Sequence, residues 1–149
     1  MNSLDTNILI YAINSGCEEH PQAKLVYESM LADPNNWIIS DQVLFELYRG
    51  LRNGRILERP LTHGQALHQI VFLREDAGVL HCSYETSFWK KLTVGFIDTS
   101  RKSTHIFDRT LGITLIQHGV DHFYTRNTKD FTEFGFKKLI NPIDDSVSK

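Results

Sequence analysis

The sequence predicts an α/β fold, in which short parallel strands alternate with helices inside one domain. Short apolar runs typical of buried strands are separated by longer stretches whose apolar residues recur at helical spacing. The 149 residues contain no internal repeat, low-complexity tract or linker, and this length suits a single hydrophobic core. Because strands that alternate with helices pair in parallel, we expect one domain over 1–149, with a short parallel sheet of about five strands and helices on both faces.

The first segment of the chain is a predicted strand followed by apolar residues and then a helix. Residues 3–5 are strand-like and run directly into an apolar segment at 8–10. Pro21 can open the next helix, because its missing N–H is one that the first helical turn leaves unpaired anyway. Apolar residues at helical spacing follow Pro21 and stop near Asp33, which predicts the end of that helix.

The middle of the chain contains two further predicted strands, each associated with a helix. Residues 37–40 indicate a short buried strand, and Asp41 stands where the N-cap of a helix ending around 53–54 is expected. A second helix is predicted over 62–75, and a strand follows it at 79–82.

The last third of the chain is predicted to contain two helices and two strands. The segment 84–92 is interpreted as a helix with three inward-facing residues, Phe88, Trp89 and Leu92. The polar stretch 95–103 indicates a loop, and a helix over 105–118 is expected to stop at Gly119. The remaining strands are predicted at 122–125 and 138–140.

The charge balance alone gives no sign of a nucleic-acid partner. The chain carries 16 Lys and Arg against 18 Asp and Glu, a formal charge of −2. Four arginines nevertheless recur within one short stretch: Arg49, Arg52, Arg55 and Arg59. They could form a phosphate-binding rim or a solvated helix end that complements the helix dipole, and both interpretations stay open.

Several features predict a cytoplasmic protein with no membrane partner. No apolar run approaches the roughly 20 residues needed to cross a bilayer. Residues 1–5 lack the basic start of a signal peptide. Cys17 and Cys82 are far apart and have no Cys or His neighbour at metal-ligand spacing, so we expect free thiols in a reducing cytosol.

Four acids follow predicted strands or lie in the helices after them: Asp5, Glu46, Asp108 and Asp130. In an open α/β sheet, ligands bind beyond the carboxyl ends of the strands, so these carboxylates are expected to converge. Each acid also has an ordinary explanation, either as the cap of a helix or turn or as a solvated surface acid. Converging carboxylates repel one another, and Mg²⁺ or Mn²⁺ held by oxygen ligands would relieve that repulsion.

Short motifs along the whole chain resemble those of PIN domains and occur in the same order. They are Leu4-Asp5-Thr6-Asn7, Val43-Leu44-Phe45-Glu46-Leu47 after Ser40, Phe107-Asp108 leading to His118-Gly119-Val120, and 125–131 with Asn141-Pro142 beyond. The closing segment resembles that of the VapC toxin subgroup. The resemblance implies a three-layer sandwich with five short parallel strands and three or four acids that bind Mg²⁺ or Mn²⁺. It also implies endoribonuclease activity, a homodimer and a cognate antitoxin protein as partner.

The chain departs from the family pattern at two places. The helix after Asp108 lacks the several alanines usual there, so Ile113 and Thr114 must pack differently or the helix must lie farther from the sheet. An acid often follows the last motif's strand directly, and this chain has Asn127 at that position. The fourth acid is therefore either absent or supplied by Asp130.

The combined interpretation is hydrolysis of an RNA phosphodiester bond. We expect Asp5 and Asp108 to hold the metal ion, while Glu46 binds it or orients and deprotonates the attacking water. Asp130 is expected to complete the catalytic acids. The polar neighbours expected to orient these carboxylates are Thr6, Asn7, Thr125 and Asn127.

Two other functions remain open at the level of sequence. A phosphatase of the haloacid-dehalogenase type also has an Asp at the end of its first strand, but it needs a second Asp where this chain has Asn7. A PIN-like RNA-binding module would keep the fold without cleaving its ligand. The presence of Asp5, Glu46 and Asp108 argues against that second alternative.

Overall fold

Five short parallel strands and six α-helices alternate along residues 1–94 and 101–144, the part of the chain that the computed structural model describes. The strands are β1 (Asn2–Leu4), β2 (Ile38–Ser40), β3 (Leu80–Cys82), β4 (His122–Tyr124) and β5 (Lys138–Ile140). The helices are α1 (Thr6–Ile13), α2 (His20–Ala32), α3 (Asp41–Leu51), α4 (His63–Val71), α5 (Phe88–Val94) and α6 (His105–Gln117). The α/β prediction, with about five parallel strands, is confirmed.

The strands form two parallel groups that lie side by side. One is a three-stranded sheet with the order β1-β4-β5, and the other is a two-stranded sheet of β2 and β3. A single parallel bridge between Asn2 and Trp37 connects them, so β2 lies next to β1. Leu4 is paired with Tyr124 in the register of β1 and β4. The residues that directly follow these two strands therefore emerge at the same edge of the sheet.

The main hydrophobic core joins the strands to helices α1–α4. Its fully buried members include Leu4, Leu9, Met30, Ile39, Leu47 and Phe123. Burying a large apolar side chain contributes about 1.5–3 kcal/mol relative to leaving it exposed. This cluster therefore fixes the helices that follow β1 and β2 against the strands that precede them.

A smaller cluster connects α5 to α6. Ile113 of α6 is buried against Phe88 and Leu92, and the half-buried Phe134 packs against the same group. Gly112 permits this arrangement, because a Cβ at that position would overlap the Phe134 ring. Ile113, one of the two residues expected to pack differently, is thus accommodated by contacts with α5.

Three predictions about helix boundaries are wrong in detail. The N-cap of α3 is Ser40, whose side chain accepts a hydrogen bond from the Gln42 N–H, and Asp41 is already the first helical residue. The helix predicted over 62–75 is α-helical only to Val71 and continues as a π-helical turn at Phe72–Asp76. The helix predicted from 84 begins only at Phe88, and residues 83–87 before it are non-helical.

The predicted inward orientation of Trp89 is also wrong. Trp89 is 59% exposed, whereas Phe88 and Leu92 are 2% exposed. The helix α5 is only two turns long and buries one narrow stripe, and neighbouring residues on a helix point about 100° apart. Once Phe88 occupies the buried stripe, Trp89 must face outward.

The remaining sequence-based expectations concern cysteines, membrane helices and one loop. Cys17 and Cys82 are both free, as expected. Within 1–94 and 101–144, no helix combines the length and apolar character that crossing a membrane requires. Of the loop predicted over 95–103, residues 95–100 lie outside the described residues, and the rest is non-helical.

Candidate functional site

A pocket of about 480 Å³ opens at the edge of the sheet where β1, β2 and β4 end. We call it the acidic pocket, because all four predicted acids line it: Asp5, Glu46, Asp108 and Asp130. The expected neighbours Thr6, Asn7 and Asn127 line it as well. The acids come from four separate segments of the chain, so it is the parallel topology that brings them together.

Asp5 is the buried member of the acidic pocket and serves as the N-cap of α1. Its Oδ1 accepts a hydrogen bond from the Thr6 N–H at 2.7 Å. Its Oδ2 accepts from the Thr125 hydroxyl at 2.7 Å and from the Asn7 amide at 3.0 Å. Three donors and the helix N-terminus hold this carboxylate in one orientation. The interpretation of Asp5 as an ordinary N-cap is therefore correct and is compatible with a role in the site.

The electrostatics of Asp5 are unfavourable for a charge despite these donors. The pKa of Asp5 is raised from its ordinary 3.8 to about 6, chiefly by burial. The hydrogen bonds from Thr125 and Thr6 oppose this increase, and the nearby Glu46 and Asp108 carboxylates contribute to it. A buried carboxylate beside two other carboxylates is costly to ionise. A cation near these oxygens would offset that cost.

Glu46 reaches the acidic pocket from α3, which packs closely against α1. A Cβ on Gly50 of α3 would come within 2.5 Å of the Ile10 side chain, so glycine allows the two helices to approach. This approach lets the Thr6 hydroxyl donate to Glu46 Oε2 at 3.2 Å. Glu46 therefore lies beside the N-terminus of α1, which Asp5 caps, and lines the same pocket.

Gln42 is a site residue that sequence reasoning missed. Its amide nitrogen donates to Glu46 Oε1 at 2.8 Å and to the carbonyl oxygen of Phe107 at 2.9 Å. Gln42 thus ties Glu46 on α3 to the residue that precedes Asp108 on α6. The spacing of Gln42 and Glu46, four residues apart on one helix, was a signal for their contact, but the bond to α6 is tertiary.

Asp108 lies half-buried on α6 and has looser support than Asp5. Its Oδ2 lies 3.8 Å from His105 Nδ1, and His105 Nε2 lies 3.1 Å from a Glu133 oxygen. Burial and then the neighbouring Asp130 carboxylate raise the pKa of Asp108, while His105 opposes the increase. Sequence reasoning missed His105, although its position three residues before Asp108 on the helix was a usable signal.

Asn127 and Asp130, the two candidates for the fourth position, share a short turn after β4. The turn is a 3₁₀-helix at Thr128–Phe131, and the Asp130 N–H donates to the Asn127 carbonyl at 3.0 Å. The Asn127 N–H donates to the Thr125 hydroxyl oxygen at 3.0 Å, and the same hydroxyl donates to Asp5. Both residues are exposed, but Asn127 is coupled to the buried carboxylate through its backbone N–H.

One of the four predicted arginines lines the acidic pocket. Arg49 is among its lining residues, together with Asn53 and Ile56 from the segment after α3. Arg52 instead donates to the Tyr48 hydroxyl at 3.1 Å and lies over the Tyr48 ring. The other two predicted arginines, Arg55 and Arg59, are exposed on the loop after α3 and are not among the lining residues.

The donor set of the acidic pocket suits a hard divalent cation. Its polar lining is mainly carboxylate, amide and hydroxyl oxygen, which Mg²⁺ and Mn²⁺ prefer, and none of the described residues that line it is a cysteine or histidine. Among the described residues, however, no three Asp, Glu, His or Cys side chains converge into a ready-made metal site. Glu46 is turned toward Gln42 and Thr6, which satisfies its oxygens and keeps the like charges apart.

Comparison with known proteins assigns the chain to a family. The model of the PIN domain matches residues 3–137, so this chain belongs to the PIN domain family. The family predicted from the sequence motifs is therefore confirmed. The chain is 36% identical over 146 residues to Ribonuclease VapC24 of Mycobacterium tuberculosis, an alignment that covers 96% of this chain and 97% of that protein.

Solved structures share the fold at lower sequence identity. VapC20 of Mycobacterium tuberculosis, a sarcin-ricin loop cleaving toxin, superposes with a TM-score of 0.63 at 18% identity, covering 83% of this chain and 87% of VapC20. A toxin–antitoxin complex from Klebsiella pneumoniae contains a chain with a TM-score of 0.61 at 20% identity, covering 95% of this chain and 98% of that one. These similarities support the fold and its α/β class.

Proposed function

We propose that this protein is an endoribonuclease that requires Mg²⁺ or Mn²⁺ and serves as the toxin of a toxin–antitoxin pair. The observation that carries the proposal is the acidic pocket, where four acids from distant segments share one edge of the sheet. The identity of 36% to Ribonuclease VapC24 over nearly the whole length of both proteins supports RNA as the substrate.

Three carboxylates have distinct roles in this proposal. Asp5 and Asp108 hold the metal ion, and Glu46 either binds it or orients and deprotonates the attacking water. When bound, the ion polarises a phosphoryl oxygen, lowers the pKa of water and offsets charge in the transition state. Each Glu46 oxygen accepts one hydrogen bond, Oε1 from Gln42 and Oε2 from Thr6, and keeps a second lone pair that can accept a proton from water.

The residues around Asp5 position its carboxylate for this role. The Thr125 hydroxyl and the Asn7 amide both donate to Oδ2, and the Thr6 N–H donates to Oδ1. Such donors fix the direction in which a ligating carboxylate presents its remaining lone pairs. Asn127 supports the same arrangement by donating its N–H to Thr125.

The phosphatase alternative gains no support from the site. Asn7 stands where a haloacid-dehalogenase-type enzyme needs its second Asp, and its amide donates to Asp5 instead of offering a second carboxylate. The alternative of an RNA-binding module without cleavage shares the fold and the pocket, and the activity assay described below separates it from the nuclease.

The proposed partners follow from relatives and from the family. A chain of similar fold occurs in the toxin–antitoxin complex from Klebsiella pneumoniae, which supports a cognate antitoxin protein as partner. A homodimer is proposed on the family resemblance alone. An RNA substrate and a co-expressed antitoxin are consistent with the cytoplasmic location expected from the sequence.

Among the four arginines, we assign phosphate binding to Arg49, because it lines the acidic pocket. Arg49→Gln is expected to weaken RNA binding and to reduce the slope of log K against log salt by about one unit. Arg59→Gln is the matched control, because Arg59 is exposed outside the pocket and its loss should leave the slope unchanged. Equal slopes for wild type and both variants would mean that Arg49 does not bind phosphate and is a solvated residue near the end of its helix.

The activity assay compares the purified protein with Asp5→Asn and Glu28→Gln, the latter a control on the exposed face of α2. We expect wild type and Glu28→Gln to cleave RNA with Mg²⁺ or Mn²⁺ and to stop with EDTA. Asp5→Asn should lose at least a hundredfold in rate, since a lost metal ligand removes several kcal/mol of transition-state stabilisation, on the order of 3 kcal/mol or more. If the wild type binds RNA but does not cleave it with either metal, the protein is the RNA-binding module without cleavage.

A further inference from the structure

Arg126, which directly follows Thr125, forms an ion pair outside the acidic pocket. Its Nη1 donates to Glu19 Oε1 at 2.5 Å and to the Tyr11 hydroxyl oxygen at 3.0 Å. The guanidinium carbon lies 5.6 Å from the centre of the Tyr11 ring. Glu19 stands at the N-cap position of α2 and is 107 residues away along the chain. The side chain of Arg126 thus joins the segment after β4 to α1 and α2.

The backbone of Arg126 lies between two residues that support Asp5. Thr125 before it donates its hydroxyl to Asp5 Oδ2 at 2.7 Å, and the Asn127 N–H after it donates to that hydroxyl oxygen at 3.0 Å. The Arg126 N–H donates to Asn7 Oδ1 at 3.4 Å, and the Asn7 amide donates to Asp5 Oδ2 at 3.0 Å. The position of residue 126 therefore affects both side chains that donate to Asp5 Oδ2.

Backbone and side chain of Arg126 contact the same face of α1. Asn7 and Tyr11 are four residues apart on this helix, so their side chains are neighbours on its surface. The backbone N–H of Arg126 contacts Asn7, and its guanidinium contacts Tyr11. Because β4 ends at Tyr124, these contacts give the residues after the strand a second attachment, beside the N-terminus of the helix that Asp5 caps.

The ion pair of Arg126 is better shielded than the ion pair on the surface of α2. The side chains of Arg126 and Glu19 are 40% and 20% exposed. Those of Lys24 and Glu28, which lie 3.7 Å apart, are 55% and 56% exposed. An ion pair between exposed side chains is screened by water and opposed by side-chain entropy, so it fixes little. The Arg126 pair is partly shielded and also lies against the Tyr11 ring, so it can fix the segment that carries it.

We propose that Arg126 is a positioning residue for the ribonuclease reaction and acts through its ion pair with Glu19. The ion pair holds the segment after β4 against α1, so that the Thr125 hydroxyl and the Asn7 amide both donate to Asp5 Oδ2. This inference rests on the proposed function. Arg126 is not one of the described residues that line the acidic pocket, so it acts on Asp5 without contacting the substrate.

A double-mutant cycle on the ion pair tests this role. Arg126→Gln and Glu19→Gln break the pair from opposite ends. We expect each to lower kcat for RNA cleavage about tenfold and to leave KM within about twofold of wild type, because groups that orient a ligating carboxylate act on metal binding and turnover. The double variant should lose no more than the worse single variant, since both changes remove the same contact.

The matched controls are Lys24→Gln and Glu28→Gln, which break the exposed ion pair on α2. Both should have the kcat and KM of wild type. Circular dichroism and thermal unfolding show whether each variant is folded at the assay temperature. Should Arg126→Gln fail to fold, Glu19→Gln decides alone, because it breaks the same pair and leaves the sequence after β4 unchanged.

Two measurements that need no cleavage complete the test. Calorimetric titration of Mg²⁺ should give a Kd about tenfold higher for Arg126→Gln and Glu19→Gln than for wild type. In EDTA, the NMR signal of the Asn7 side-chain amide, assigned by its loss in Asn7→Ala, should shift in the same direction in both variants, because this amide donates to Asp5. Lys24→Gln should match wild type in both measurements.

Three results would overturn the proposal while wild type still cleaves RNA and the proposed function stands. A loss of kcat in Arg126→Gln but not in Glu19→Gln would show that Arg126 does not act through the ion pair. A higher KM with unchanged kcat, and a salt slope reduced by about one unit, would make Arg126 a phosphate contact. A lower melting temperature with wild-type kinetics and an unmoved Asn7 signal would make the pair a stabilising surface contact.

Failure of the proposed function gives a different result. If wild type does not cleave RNA, the proposed function is wrong, and a positioning role in that reaction is wrong with it. The Asn7 signal and the Mg²⁺ titration then still show whether the ion pair between Arg126 and Glu19 orients Asp5, because neither measurement depends on cleavage.

Discussion

The two sides of the acidic pocket differ in how firmly the fold holds their carboxylates. On one side, Asp5 is buried at the start of α1 and accepts three hydrogen bonds of 2.7–3.0 Å. On the other side, Asp108 is half-buried with its Oδ2 3.8 Å from His105 Nδ1, and Asp130 is exposed on a turn. Asp5 is thus held in one orientation, while the carboxylates on the α6 side have fewer contacts that hold them.

This difference in burial predicts whether a substitution affects stability, activity or only cation binding. A buried carboxylate with a raised pKa carries a large folding penalty when ionised, so changes at Asp5 should affect stability as well as activity. An exposed carboxylate is screened by water, so changes at Asp130 should have small effects confined to cation binding. Glu46 lies between these extremes, and Gln42 connects it to the α6 side.

The largest expected effect is the pH dependence of stability at Asp5. Its folded-state pKa of about 6 exceeds the ordinary 3.8, so the folded state binds this proton more tightly. Asp5 therefore adds no penalty below pH 3.8, and it lowers the free energy of unfolding progressively up to pH 6, by about 3 kcal/mol in total at about 1.4 kcal/mol per pKa unit. Asp5→Asn lacks this titration.

Urea unfolding in EDTA measures the effect as a difference between wild type and Asp5→Asn. We expect the stability of the variant relative to wild type to increase by about 2.4 kcal/mol between pH 4 and pH 7. A constant offset, caused by the altered hydrogen bond to Asn7, does not change this increase. Saturating Mg²⁺ should reduce this gain, because wild type gains binding energy that the variant lacks. A difference that stays constant with pH would show that burial does not oppose ionisation of Asp5.

A smaller effect is expected at Gln42, which connects the two sides. Gln42→Ala removes one donor shared by Glu46 and the Phe107 carbonyl, and such a bond is worth about 1 kcal/mol. We expect kcat/KM to fall about fivefold and Mg²⁺ affinity, measured by calorimetry, to fall with it. Gln22→Ala on α2 is the control and should match wild type. Normal Mg²⁺ affinity in Gln42→Ala would mean that Gln42 does not position Glu46.

The smallest effect is expected at the fourth acid. Asp130→Ala should weaken Mg²⁺ binding only about twofold, because interactions of exposed charges are worth about 0.5 kcal/mol. Asn127→Ala should mainly lower turnover, because Asn127 lines the pocket without adding charge. Calorimetric titration of Mg²⁺ into both variants, together with cleavage rates, distinguishes them. Wild-type metal binding and cleavage by Asp130→Ala would leave a site of three acids.

The sequence predicted the parts of the site that depend on topology. Asp5 and Thr125 follow strands paired in register, so their meeting follows from the alternation of strands and helices. Glu46 was expected at the site because it lies in the helix that follows a predicted strand, and Asp108 because it lies in a predicted helix, and both positions are local properties of the sequence. The acids were therefore predictable as a group.

The sequence did not predict features that depend on contacts between separate elements. Gln42 reaches the Phe107 carbonyl across two helices, and no spacing in the chain encodes that contact. Trp89 was predicted to face inward because it is apolar. The helix α5 is too short to bury more than one narrow stripe, however, and Trp89 lies outside that stripe. Its exposure, together with that of Phe45, creates a groove that only the folded chain reveals.

The central claim is that the two sides of the acidic pocket, with Asp5 on one side and Asp108 on the other, form one catalytic centre. A double-mutant cycle tests it, with kcat/KM for RNA cleavage measured for wild type, Asp5→Asn, Asp108→Asn and the double variant at saturating Mg²⁺. If both carboxylates act on the same ion, each single variant loses at least about a hundredfold and the double variant loses little more than the worse single one. Losses that multiply in the double variant would show two carboxylates acting independently and would contradict the account.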